Sequence, residues 1–155
     1  MHSYSAFRNN LAVVVVLLLG LSSCKGEIEK EQQGLFVITN QSGYDMTLSI
    51  FKTEDRRKAP VVISIPNGNS VERIANGGSG LIVYPELFFQ GDSIRVVFSD
   101  RKQVLHYCTQ AQQLTNQCQP SRSLLDLDQY QIESASKNIT RYTYTLMPSD
   151  YSLAN

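Results

Sequence analysis

Chemistry in this chain would have to run through very few side chains. His106 is the only histidine after His2, and Cys108 and Cys118 follow it closely. A serine hydrolase would use His106 as its base, with Asp100 or Asp92 behind the ring to fix its tautomer. The sequence has no G-x-S-x-G turn to present a nucleophile. His106 also falls inside Gln103 to Tyr107, a run with the composition of a strand, so a histidine held within the fold is the expected role. Cys108 and Cys118 lack the C-x-x-C spacing of a redox or metal pair, and a zinc ion here would need carboxylates for most of its ligands.

Acidic pairs offer little more. Asp126-Leu127-Asp128 sets two carboxylates on one side of an extended segment, which would suit calcium, but further oxygen ligands at regular spacing are missing. Capping of a helix or turn is the expectation. Glu86 and Asp92 flank Leu87-Phe88-Phe89-Gln90-Gly91 without the polar cluster of a glycosidase. No metal or cofactor is expected, and the chain reads as non-enzymatic, with a small hydrolase using His106 as the competing class. Contact with a protein or glycan partner is better supported. The segment from Tyr84 to Asp92 carries Tyr84, Phe88 and Phe89 on a connection between strands, and exposed aromatics at that density mark interfaces. The opposing reading tucks Phe88 and Phe89 under a sheet and leaves Tyr84 outside, where its hydroxyl finds water. A glycan would also want aromatic platforms, although the chain has no tryptophan.

The elements that must position these residues are all β-like. Met46, Leu48 and Ile50 share one face of their run while Thr47 and Ser49 take the other, the period-two signature of a half-buried strand. Further runs of β-branched and aromatic residues occur at 35–40, 61–65, 70–75, 93–99, 103–107, 129–133 and 141–147. Pro66-Asn67-Gly68-Asn69 reads as a hairpin turn, as does Asp100-Arg101-Lys102. No sustained helical repeat appears after the N-terminal region. Seven or eight short strands imply an all-β fold: a two-sheet antiparallel β-sandwich, immunoglobulin-like or transthyretin-like, with a partly closed barrel as the competitor.

The N-terminus is organised differently. Arg8 precedes nine apolar residues, Leu11 to Leu19, and then comes Leu21-Ser22-Ser23-Cys24. The apolar run fits a signal-peptide core and falls short of the ~20 residues that cross a bilayer. Leucine, two small residues and cysteine resemble the lipobox of bacterial lipoproteins. That resemblance implies removal of residues 1–23, a diacylglycerol on the Cys24 thiol, and commonly an acyl chain on the freed amine. An ordinary signal peptide with Cys24 in a disulfide is the competing reading. The 132 residues that would remain suffice for one domain with a core. Their thirteen basic and fourteen acidic side chains argue against nucleic acid, and against a hold on anionic lipid by charge alone. With Cys24 committed to lipid, Cys108 and Cys118 are an even pair in an oxidising compartment, and a disulfide closing their polar loop would contribute roughly 3 kcal/mol.

Lys25 to Gln33 is charged and almost free of apolar residues, so it reads as a flexible tether. The domain boundaries are thus 1–23 for the signal peptide, 24–34 for lipidated Cys24 and tether, and 35–155 for the sandwich. Ten residues of loose chain would hold the domain ~17 Å from the lipid on average. Glu27, Glu29 and Glu31 resemble the acidic signal that sends some lipoproteins of the Bacteroidota to the outer face of the outer membrane; a solvated spacer is the competing reading. Residues 92–147 also resemble small lipoproteins of the Bacteroidota, through Asp92-Ser93-Ile94-Arg95-Val96-Val97-Phe98, the cysteine loop, Leu124 to Ile132, and Arg141-Tyr142-Thr143-Tyr144-Thr145. The resemblance implies a β-sandwich and a lipid anchor, and carries no catalytic residue. Asp92-Ser93-Ile94 matches the three-residue O-glycosylation acceptor of that phylum, with Ser93 as the modified residue. The expected protein is a lipid-anchored module of the outer membrane, on its periplasmic or surface face.

Overall fold

The computed structural model describes residues 32–52, 58–77, 82–108, 112 and 117–155. The expected signal peptide, Cys24 and the expected tether through residue 31 lie outside the described residues, as does most of the 109–116 stretch. Among the described residues eight strands form two four-stranded sheets. One sheet holds β1 (Gln33–Asn40), β4 (Ser70–Asn76), β7 (Gln131–Ser136) and β8 (Ile139–Leu146), in the order β4-β1-β8-β7. The other holds β2 (Met46–Phe51), β3 (Val61–Ile65), β5 (Ser93–Phe98) and β6 (Gln103–Tyr107), in the order β3-β2-β5-β6. For convenience these are the β1 sheet and the β2 sheet. Among the described residues two short helices, α1 (Pro85–Phe89) and α2 (Pro148–Tyr151), have both ends placed and sit outside the sheets.

The two-sheet sandwich read from the strand runs is present. Period-two burial drives it: Met46, Leu48 and Ile50 of β2 face Phe36 and Ile38 of β1 and Tyr142, Tyr144 and Leu146 of β8 across one core. Each of these large side chains contributes about 1.5–3 kcal/mol by leaving water. Aromatic rings tile the centre of that core. Phe36 stacks on Tyr142 at 4.7 Å and meets Tyr130 edge-on at 5.7 Å.

Four features depart from the sequence reading. The 66–69 turn does not close a hairpin, because β3 pairs with β2 while β4 pairs with β1. It is an arch between the sheets, fastened to Asn40 by a hydrogen bond from the Gly68 N–H to the Asn40 carbonyl at 2.7 Å. Turn residues specify a reversal, and only the burial of both flanking strands decides whether it stays within one sheet. Second, β1 and β8 run parallel, the single parallel pair among six. Third, β1 begins at Gln33, two residues before the expected start of the sandwich at Leu35, because Gln33 pairs with both Asn76 and Ile139. Fourth, residues 129–130 finish a 3₁₀ turn (Leu127–Gln129) before β7 starts at Gln131.

The start of β1 defines one end of the sandwich. There Gly77 N–H donates to the Gln32 carbonyl at 2.9 Å, and Gln33 N–H to the Asn138 carbonyl at 3.0 Å. Val83 lies so close to Gly34 that a Cβ on residue 34 would sit 2.9 Å from its Cγ1. The chain from β4 to β5 therefore wraps across this same end, carrying α1 with it. The opposite end holds α2, whose Asp150 carboxylate accepts from Met147 N–H at 2.8 Å.

Candidate functional site

His106 is a core residue, 1 % exposed, on the inner face of β6. Its Nδ1 accepts a hydrogen bond from the Leu124 N–H at 3.0 Å, so the neutral ring carries its proton on Nε2. Nε2 has no hydrogen-bond partner among the described residues. Burial pushes the pKa of the ring down to about 3, so it is uncharged at neutral pH. Asp100, which hydrolase chemistry would place behind the ring, instead accepts from the Tyr151 hydroxyl at 2.8 Å, and that bond holds its carboxyl below the usual carboxylate range. The Asp92 carboxylate meets the Ser93 hydroxyl at 3.4 Å. The geometry thus ties His106 to the backbone of the 119–130 crossing, where the Tyr130 hydroxyl also donates to the Leu124 carbonyl at 2.6 Å.

Cys108 and Cys118 form a disulfide with Cα atoms 4.7 Å apart. Beside it, Tyr107 and Gln119 exchange backbone hydrogen bonds of 2.7 and 2.9 Å, closing the base of the loop. Asp126 is a cap: its side chain accepts from Asp128 N–H at 3.1 Å and from the Gln129 amide at 3.3 Å. Among the described residues no group of three or more His, Cys, Asp or Glu is placed to hold a metal.

The expected contact segment divides in two. Phe88 and Phe89 are fully buried, packed edge-to-face on each other at 4.5 Å, with Phe88 5.6 Å from Phe36. They cannot touch a partner, which corrects their candidacy as binding residues. The reason is visible in α1: Pro85 starts one helical turn, and the turn aims positions 88 and 89 inward while position 87 points out. Tyr84 stays 42 % exposed, as expected of a phenol, with Ile82 and Leu87 beside it at 58 % and 48 %. Below Leu87 an open recess of about 540 Å³ is lined by Lys52, Glu86, Gln90, Gly91 and Asp92.

A broader surface went unnoticed in the sequence. The outer side of the β2 sheet follows from its register: Val62, Ser49, Arg95 and Leu105 form one row across the four strands. Phe51, Ser93 and Tyr107 form the next row, and Ser64, Thr47, Val97 and Gln103 the row on the other side. Arg95 is the single charge in these eleven positions, and its guanidinium lies 5.4 Å over the Phe51 ring. Val62 and Leu105 are exposed, and so is Tyr107. Ser93, the candidate acceptor, sits half-buried between two aromatics. Compared with known protein families, curated proteins and solved structures, the chain matches none. The alternation of hydroxyl and apolar positions was legible; that Phe51, Ser93 and Tyr107 lie side by side required the strand order.

Proposed function

We propose that this protein is a lipid-anchored, non-enzymatic module of the outer membrane that presents the outer face of its β2 sheet to a protein or glycan partner. The observation that carries the reading is that face. It is four strands wide, nearly uncharged, and mixes hydroxyls with Phe51, Val62, Leu105 and Tyr107. Exposed apolar side chains interleaved with hydrogen-bonding groups are what a contact surface needs, and Arg95 at its centre favours an anionic group in the ligand. The non-enzymatic assignment draws support from His106, whose ring is enclosed and turned to a backbone amide. The anchor rests on Leu21-Ser22-Ser23-Cys24. A glycan on Ser93 would stand in the Phe51–Tyr107 row, so modification and partner binding compete for the same surface.

The test is cross-linking in intact cells, comparing the native chain with Leu105→Asp and Arg95→Glu. Partner capture falls for both variants while the melting temperature stays put, because both side chains are exposed. Undiminished capture by both would refute the face. Mass spectrometry of the mature N-terminus tests the anchor independently, and a bare residue other than Cys24 would refute it.

A further inference from the structure

We infer that the end of the sandwich carrying Ile82, Tyr84 and Leu87 rests on the lipid surface in which the Cys24 anchor is inserted. The inference depends on the anchored reading above, and adds to it an orientation and a second, weaker membrane contact.

Chain length decides which end is near the bilayer. The Gln32 carbonyl already accepts from Gly77, so only residues 25–31 separate Cys24 from the fold. Seven residues reach at most ~25 Å, even fully extended. The eight residues of β1 span ~26 Å along the sandwich, so the far end reaches lipid only if the linking segment runs back along the whole domain. The near end meets lipid in almost any other arrangement.

Chemistry at that near end agrees. The segment crossing it leaves Ile82, Tyr84 and Leu87 more than two-fifths exposed, although Val83 between the first two and Phe88 and Phe89 just after the third are buried. Helix α1 fixes this division, with Leu87 N–H bonded to the Tyr84 carbonyl at 3.0 Å. Two aliphatic side chains flanking a tyrosine suit the headgroup boundary, where the ring is apolar and the hydroxyl stays wet. Burying Ile82 and Leu87 supplements the acyl chains without any need for basic residues, in keeping with a neutral chain.

The chain has no tryptophan, so one introduced residue reports alone. The lipidated protein is incorporated into phosphatidylcholine vesicles containing nitroxide-chain lipid, with Leu87→Trp at the near end and, separately, Leu153→Trp at the far end. Flotation with the vesicles first establishes attachment. The expected result is co-flotation of both variants, with several-fold stronger quenching and a bluer emission for Leu87→Trp. Adding Ile82→Asp to Leu87→Trp should lower that quenching while flotation and melting temperature hold. Equal or absent quenching in floating protein overturns the orientation and leaves the anchor standing; it would return Tyr84 and Leu87 to the role of a protein contact. Failure of native lipidated protein to float overturns the anchored reading and this inference together.

Discussion

Replacing Phe88 by alanine separates core from surface within a single turn of α1. The Phe88 ring is fully buried, lies 5.6 Å from Phe36 and 4.5 Å from Phe89, and has the Arg73 guanidinium 5.5 Å above it. Its removal loses the transfer free energy of the ring, its edge contacts and the cation over its face, and leaves a cavity beneath both sheets. Phenylalanine truncations of this kind cost ~3–5 kcal/mol. A domain of this size is stabilised by ~5–15 kcal/mol in total, so at least a fifth of its stability should go. At ~4 °C per kcal/mol the melting temperature should fall by ~12–20 °C. In urea, an m-value of ~2 kcal/mol/M turns the same loss into a midpoint shift of ~2 M. Leu87, the adjacent residue, is the internal control: with its side chain half in water, Leu87→Ala should cost under ~1 kcal/mol. Equilibrium unfolding followed by far-UV circular dichroism and tyrosine fluorescence gives both numbers. Equal losses for the two variants, or a Phe88→Ala loss below ~1 kcal/mol, would refute the assignment of α1 as a plug on the core.

Three further outcomes are expected of the same fold. His106 is held neutral with a pKa of about 3 against an ordinary 6.5, so the unfolded chain binds the proton first and stability falls as pH drops from 6.5 towards 3. The slope approaches ~1.4 kcal/mol per pH unit, and His106→Gln should flatten it; an unchanged slope in urea titrations would count against the buried neutral ring. Reducing Cys108–Cys118 should lower stability by ~3 kcal/mol, and thiol counting of protein isolated without reductant should find neither cysteine free. Gly91→Ala would place a methyl 2.5 Å from the Phe51 carbonyl, which is backbone, and from Cγ2 of buried Ile50, so it should destabilise by more than ~1 kcal/mol in thermal melts; a neutral effect would refute so close an approach.

Local periodicity carried the strands, since Met46-Thr47-Leu48-Ser49-Ile50 announces its own two faces and β5 and β6 announce their hairpin. Pairing between distant strands had no such signal. Nothing in Leu35-Phe36-Val37-Ile38 indicates that its neighbour is Arg141-Tyr142-Thr143-Tyr144, a hundred residues away in the chain. The same ignorance hid the outer face of the β2 sheet, because Phe51 and Tyr107 meet only across β5. Phe88 and Phe89 were ambiguous for another reason: two adjacent apolar residues fit a buried turn and an exposed loop alike until Pro85 sets the helical phase. Asp126 was readable as a cap because a short acidic side chain two residues before an N–H is a local geometry. His106 was readable as structural by elimination, yet its Leu124 partner was not, since that contact depends on the 119–130 crossing.

The parallel pairing of β1 with β8 bears on how the molecule comes into being. Each is a central strand of its sheet, so β1 emerges first and then waits for the last strand to be made before one whole side of it is satisfied. The β2 sheet, by contrast, has all its members between residues 46 and 107 and is complete much earlier. Closing a loop of that length before any contact rewards it makes the β1–β8 seam the slow, non-local step of folding. A chain halted before Ile139 would lack an interior strand and its hairpin mate β7 would have nothing to dock on, leaving Phe36 and Ile38 half-covered. Until that seam closes, β1 has a neighbour on one edge only, β4, and half of its sheet is missing from over the core.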